Sequence, residues 1–323
     1  MKLPLIAYAT AVAALLCGST AAQSYPNKPI RMIVPFAPGG PNDTIARLVG
    51  QKLTAQLGQT VVVENRGGAG GTIGMDYVAK LPADGYVMAM GGSSNMAVAP
   101  SLYKKLPYDP VQDFTPIINV AVVPYALAVN PTVPAKSVKE LIAAASRKPG
   151  YLSYGSSGAG SMSSLAAELF KSMSKTDIVH VPYKGTAPAL VDVVAGHIDM
   201  MFADFAVIQP HADIRKLTVL GVTSSKRLAS APAVPTINES GLKGYVVEPW
   251  FGIVGPAGMP KEIVQRVNGI IAAGLRASDI TQRMMALRYE PIGGTPEQFG
   301  TTIKADIGNY AKIVKGAGIT PDL

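Results

Sequence analysis

Residues 30–36 (IRMIVPF) are apolar almost without interruption, the pattern of a strand buried on both faces. Beyond a Pro-Gly stretch the period changes. Ile45, Leu48, Val49, Leu53 and Leu57 recur at helical spacing and predict a helix over 43–57, which Gly58 ends. The alternation continues along the chain. Strands are predicted over 60–63, 86–90, 122–129, 151–154, 178–181, 198–203, 217–222 and 245–254. Helices are predicted over 72–81, 137–147, 164–173, 187–195, 261–275 and 295–314. Ser137 with Glu140 three residues on reads as a capping box. Thr295-Pro296-Glu297 reads as a cap with proline at the first helical position. Strands alternating with helices imply an α/β class with mostly parallel sheets.

Composition narrows the class. At roughly 100–200 residues per domain, 323 residues suggest about two domains. Charged residues make up 15%, below the roughly 25% of an average soluble domain. Together with 33 glycines and 26 prolines scattered between apolar runs, this excludes coiled coil, long helical arrays and acidic disorder. The single cysteine, Cys17, excludes a disulfide framework, cysteine zinc sites and iron–sulfur clusters. A formal net charge of +8 fits either a nucleic-acid surface or a mild attraction for small anions. The basic residues occur at most in pairs, such as Lys104-Lys105 and Lys226-Arg227, which argues against a nucleic-acid partner.

The N-terminus reads as a secretory signal peptide over residues 1–22. Lys2 precedes an apolar stretch from 3 to 16 that is too short to span a bilayer, and Thr20-x-Ala22 supplies the small-x-small cleavage pattern. A lipoprotein signal at Cys17 is the rival, but Leu16 stands where that signal wants a small residue. Cleavage after Ala22 leaves a mature chain without cysteine, suited to an oxidising exported compartment.

The candidate chemistry sits in two Gly-rich loops, each between a strand and a helix and about 120 residues apart. In the first, Gly39, Gly40, Pro41, Asn42, Asp43 and Thr44 stand at a helix start. Unpaired N–H groups and the positive end of the helix dipole there suit a carboxylate or phosphate. Asn42 or Asp43 serving only as a helix cap explains the same residues. The second loop, with Ser156, Ser157, Gly158, Gly160 and Ser161, adds hydroxyl donors to the same geometry. Two such loops facing each other would match a molecule with two acidic ends.

Enzyme signatures fail one by one. Lys184-Gly185-Thr186 reverses the Walker order, and the dinucleotide fingerprint fails at Ile73 and again at Ser163. No G-x-S-x-G elbow occurs in the 155–164 loop. His180, His197 and His211 show neither metal-ligand nor triad spacing, so no metal, cofactor or catalytic residue is expected.

The run Val34-Pro35-Phe36-Ala37-Pro38-Gly39-Gly40-Pro41-Asn42-Asp43-Thr44 resembles the opening of the tripartite tricarboxylate transporter substrate-binding proteins, the Bug family. Glu64-Asn65-Arg66-Gly67-Gly68-Ala69-Gly70-Gly71, Tyr154-Gly155-Ser156-Ser157-Gly158, His180-Val181-Pro182-Tyr183-Lys184-Gly185-Thr186 and Trp250-Phe251-Gly252 are similar to further family segments, in order along the mature chain. Two positions depart: Gly67 where proline is frequent, and Ser163-Ser164 where a histidine is common.

The resemblance implies a two-lobed periplasmic venus-flytrap fold with two crossing strands, candidates for which are 122–129 and 245–254. Lobe 1 would comprise 24–124 plus 252–323, and lobe 2 residues 125–251. It implies a monomer that binds a small carboxylate between the lobes: a di- or tricarboxylate, an aromatic acid or an acidic amino acid. Membrane subunits of a transporter, or alternatively a sensor protein, would be the partner. Phe36 and the two loops are the expected ligand contacts. Ser93, Ser94 and Asn95 follow a strand's carboxyl end, where open sheets bind ligands, or form a polar turn. Tyr125 and Trp250, near the crossings, wall the cleft or pack the core. Asp204 orients a ligand group or water, or caps the next helix.

Overall fold

In a computed structural model, residues 25–228, 231–316 and 319 are described. The signal-peptide segment, with Cys17 and the cleavage position after Ala22, lies outside the described residues.

The chain forms two sheets, each flanked by helices. The first has the order β11-β4-β10-β3-β1-β2 and the second β7-β6-β8-β5-β9. In the first sheet, β1 (Ile30–Val34) pairs in parallel with β2 (Val61–Asn65) and β3 (Val87–Gly92). β10 (Trp250–Pro256) lies between β3 and β4 (Phe114–Val122) and is antiparallel to both, and β11 (Glu290–Gly293) is antiparallel to β4, so β4 runs in the same direction as β1–β3. In the second, β6 (Ser153–Ser156) is parallel to β7 (Val179–Pro182) and β8 (Met200–Asp204). There β5 (Tyr125–Val129) pairs antiparallel with both β8 and β9 (Thr218–Val222).

The α/β class is as the alternation implies, but the sheets are mixed rather than mostly parallel. Strand–helix–strand units give the parallel pairs. β5 and β10, which run against their parallel neighbours, each begin where the chain passes between sheets. A crossing strand enters a sheet from the other lobe, without a helix to turn it back, and so meets its neighbours head to tail.

The helices are α1 (Pro41–Leu57), α2 (Thr72–Ala79), α3 (Ala99–Leu102), α4 (Val138–Arg147), α5 (Met162–Ser174) and α6 (Thr186–Ala195). They continue with α7 (Phe205–Asp213), α8 (Lys261–Arg276), α9 (Ser278–Ala286) and α10 (Pro296–Gly316). Strand alternation decides what each helix covers. Ile30, Met32 and Val34 of β1 pack with Ile45, Val49 and Leu53 of α1 and with Val267 and Ile271 of α8. The intervening Ile33 faces Met75 and Val78 of α2. Phe299, Ile303, Tyr310 and Val314 make one apolar stripe along α10. Each such side chain taken fully from water contributes roughly 1.5–3 kcal/mol.

Several ends move from their predicted places for local reasons. The helix expected over 43–57 begins at Pro41, because Gly40 takes the cap position and proline fits the first turn. Gly58, with φ 71°, ends it as expected. Ser137 caps α4 by accepting from the Glu140 N–H at 3.2 Å, while the Glu140 carboxylate accepts from the Lys136 N–H at 2.7 Å. The strand expected over 122–129 breaks at Val123-Pro124, where the chain leaves one sheet for the other. Pro124 has no N–H to give to a ladder. The strand expected over 245–254 starts only at Trp250, after Pro249. β4 has no counterpart among the predicted strands before residue 122, because Pro116 and Asn119 break its apolar run. α9 and β11 have no predicted counterpart either. Among the described residues no helix is long and apolar enough to cross a membrane.

Candidate functional site between the lobes

Four helix N-termini meet where the two lobes face each other. Gly40 at the start of α1 approaches Thr186 at the start of α6: a Cβ on Gly40 would stand 3.6 Å from the Thr186 hydroxyl. A Cβ on Gly39 would stand 3.4 Å from that of Ala187. Gly70, just before α2, lies against the loop that opens α5, where a Cβ would be 2.6 Å from the Ala159 carbonyl oxygen and 3.2 Å from the Ser161 nitrogen. The Ala37 N–H donates to the Lys184 carbonyl at 3.1 Å. Tyr103 bridges both sides, donating to Ala69 O at 2.7 Å and lying 3.2 Å from Ala159 O. The lobes are closed, and glycine makes that closeness possible.

The sequence pattern suggests that the loops at 38–44 and 155–164 face one another. Each meets a different direct neighbour, residues 184–187 for the first and 69–71 for the second. Gly71 links the two contacts: a Cβ there would be 2.9 Å from Asn95 Nδ2 and 3.1 Å from the Phe36 ring. Residues 69–71 and 184–187, absent from the expected contacts, carry the signal that would find them: glycine just before a helix.

The two loops are built differently. In the first, α1 has no side-chain cap, and Asn42 and Asp43 lie inside its first turn rather than at the cap. Asp43 fastens the loop. Its carboxylate accepts from the Gly39 N–H at 3.2 Å, from Arg47 Nε at 3.0 Å and from Asn65 Nδ2 at 3.1 Å. Burial pushes the Asp43 pKa up, but the hydrogen bonds from Arg47, Gly39 and Asn65 outweigh it and hold the group below the ordinary carboxylate range. Thr44 turns its hydroxyl to the Gly40 carbonyl at 3.1 Å. Asn42 is buried, and its Oδ1 has no hydrogen-bond partner.

The second loop is held by hydroxyls. Ser163 Oγ accepts from the Ser157 N–H at 2.9 Å and lies 2.9 Å from both Ser157 Oγ and Ser161 Oγ. Ser161 caps α5, accepting from the Ser164 N–H at 3.2 Å. Ser163, where the sequence departs from the resembled family, is therefore the hub of the loop. Ser156 Oγ shares a 2.6 Å hydrogen bond with His180 Nε2 and accepts from the Gly158 N–H at 3.2 Å. The His180 ring stacks on Tyr154 at 4.5 Å between centroids. Burial pushes the His180 pKa down, aided by the Lys171 charge and opposed by Glu168. Gly160, with φ 74°, lets the chain turn into α5.

Behind these loops the chain after β3 winds into one π-helical turn at Ser94–Val98. Ser94 Oγ accepts from the Met162 N–H at 2.8 Å, so lobe 1 satisfies the first free N–H of a lobe 2 helix. Ser93 Oγ accepts from the Trp250 N–H at 3.3 Å. Asn95 is fully buried, and the Gly92 N–H donates to its Oδ1 at 3.0 Å. That bond fixes the amide orientation. Its Nδ2, beside Gly71 and Phe36, is left as a buried donor with no partner. An unpaired buried amide costs about 1–3 kcal/mol.

Of the remaining expected contacts, Trp250, Tyr125 and Asp204, the first and last have their polar groups engaged in packing and capping. The Trp250 indole N–H donates to Asp306 at 2.7 Å and the ring packs edge-on to Phe299, so Trp250 belongs to lobe 1 packing. Tyr125 is buried opposite Asp204 in the β5–β8 register. Asp204 caps α7, accepting from the Ala206 N–H at 2.9 Å, and also accepts from the Tyr289 hydroxyl at 2.6 Å.

The sequence model described as "Tripartite tricarboxylate transporter family receptor" (TctC) matches residues 45–319. The chain belongs to this family. Protein BugT of Bordetella pertussis is 36% identical, with 94% of this chain and 93% of that protein covered. The structure "R. palustris Rpa4515 with adipate" has a TM-score of 0.89 at 38% identity, covering 92% of this chain and 99% of the other. That of "MatC (Rpa3494) from Rhodopseudomonas palustris with bound malate" has a TM-score of 0.87 at 31% identity, covering 90% of this chain and 100% of the other. As a TctC-family receptor, the chain adopts the two-lobed solute-binding fold.

Proposed function

We propose that this TctC-family receptor captures a small carboxylate between its lobes in the periplasm and presents its closed form to membrane subunits of a tripartite transporter. The lobes would span 24–124 with 252–323, and 125–251; sheet membership supports this division except that β10 of the first sheet already starts at Trp250. The observation that carries the reading is Asn95 Nδ2, a fully buried donor without a partner, aimed beside Phe36 and the uncapped start of α2. The starts of α1 and α6 also lack side-chain caps, leaving backbone N–H groups for an anion. Two relatives solved with adipate and malate support a dicarboxylate. Asn42, Asn95, the hydroxyls of 156–163 and backbone N–H groups would grip it.

The action is binding, not turnover. A ligand touching both lobes favours the closed state by its differential contact with it. A thermal-shift screen over mono-, di- and aromatic carboxylates tests this. A ligand at 100 times its dissociation constant stabilises the protein by about 2.7 kcal/mol. A sugar or cation that raises melting where no carboxylate does sinks the reading.

A further inference from the structure

A second contact joins the lobes next to Thr44, at the end of the first Gly-rich loop. Asp204 ends β8 in lobe 2, and Tyr289 stands just before β11 in lobe 1. Both are almost fully buried, and the Tyr289 hydroxyl donates to Asp204 Oδ2 at 2.6 Å. The pair sits at a crossing. Tyr125, first residue of β5 after Pro124, is opposite Asp204, and the Phe205 N–H donates to the Pro124 carbonyl at 3.0 Å.

The groups facing the carboxyl are few. From α7 comes the Ala206 N–H, from β5 the Tyr125 ring, and from the segment before β11 Tyr289, whose hydroxyl also interacts with Thr44 of α1. Arg288 holds its guanidinium carbon 5.2 Å from the centre of the Phe205 ring. Tyr310 of α10 adds its influence on Tyr125.

We infer that Asp204 and Tyr289 form an interlobe latch that takes up one proton as the cleft closes, so that ligand capture by this receptor is proton-linked. The inference rests on the two-lobed receptor reading. It follows from the burial of Asp204 under the hydroxyl of Tyr289, which comes from the opposite lobe. When the lobes part, water reaches the carboxylate. When they close, it must be desolvated beside a neutral phenol, and a proton from solvent removes that cost. The neutral carboxyl then donates to the Tyr289 oxygen while Oδ1 still accepts from Ala206. In the closed form burial raises the Asp204 pKa to about 7, against the opposing pull of the Tyr289 and Ala206 hydrogen bonds. In the open form the group returns towards its ordinary 3.8. Closure is thus favoured fully below the lower value, weakens as pH rises towards 7, and is flat above it. The steepest change is about tenfold in the closed-to-open ratio per pH unit. Asp204 and Tyr289 are positioning residues here, acting on the lobes and not on the ligand.

Small-angle scattering of the ligand-free protein from about pH 4.5 to 8 tests this without knowledge of the ligand. The expected result is a radius of gyration that grows between about pH 5 and 7 in the wild type and stays small and flat in Asp204→Asn, the neutral isostere. Tyr289→Phe should be more open than the wild type at pH 7, where the ionised carboxylate loses its donor, and should still respond to pH because Asp204 still titrates. A wild-type radius that ignores pH overturns the latch, as does a D204N response identical to the wild type. Should D204N not fold, a Tyr289→Phe protein as compact as the wild type at pH 7 overturns it. A failed carboxylate screen leaves this result standing, and the reverse also holds.

Discussion

Gly70 of lobe 1 lies so close to Ala159 of lobe 2 that a Cβ on the glycine would stand 2.6 Å from the alanine carbonyl oxygen. Gly70 also has φ 63°, a left-handed conformation that L side chains adopt at a cost. The lobe contact is therefore backbone against backbone, with no side chain free to yield. Gly70→Ala should hold the lobes apart. We expect at least a tenfold loss of affinity for the carboxylate identified by the screen, with a larger radius of gyration in its presence. A G70A protein that closes like the wild type would show that this contact does not limit closure.

Asn95→Asp separates a donor from its shape. The aspartate keeps an oxygen for the Gly92 N–H but turns the partnerless Nδ2 into a second acceptor. Facing a carboxylate, it loses a hydrogen bond and gains repulsion. Loss of one such interaction is worth about 1–3 kcal/mol, or roughly tenfold to a hundredfold in dissociation constant by calorimetric titration. Unchanged affinity would remove Asn95 from the site.

Ser163→Ala tests the hydroxyl hub. It leaves the Ser157 N–H without its acceptor and breaks the chain between Ser157 and Ser161. A stability loss of about 1–3 kcal/mol in urea unfolding is expected from the stranded donor. Ligand affinity should fall as well, since the loop that presents Ser161 loosens. Full stability in S163A would mean that the loop holds its shape without the hub.

His180 gives a pH signature of its own. Its folded-state pKa lies below the ordinary 6.5, chiefly through burial. The unfolded state then takes the proton more readily, so this group removes stability as pH falls below 6.5. Asp204, shifted the other way, adds stability over the same acid range. Comparison with His180→Gln isolates the histidine: the variant should lose less melting temperature than the wild type between about pH 7 and 5. Equal losses would show that His180 is not the source.

The α/β class, most strand–helix units and both Gly-rich loops are legible in the sequence, because each is written in local terms. Apolar runs, helical spacing and caps such as Ser137 act within a few residues. The family too is carried by contiguous motifs, from Pro35-Phe36-Ala37-Pro38-Gly39 to Tyr183-Lys184-Gly185. What tertiary structure decided is which loop meets which. Gly39 and Gly40 meet Thr186 and Ala187, and Gly70 meets Ala159, since those approaches depend on how two lobes close over chain separations that no local pattern encodes. The same holds for β4 and for Trp250, whose indole turns to Asp306. It holds most for Asp204. A lone aspartate before a helix reads as a cap, and it is one. Only the folding of residue 289 against it, from the far end of the chain, buries its other oxygen under the Tyr289 hydroxyl.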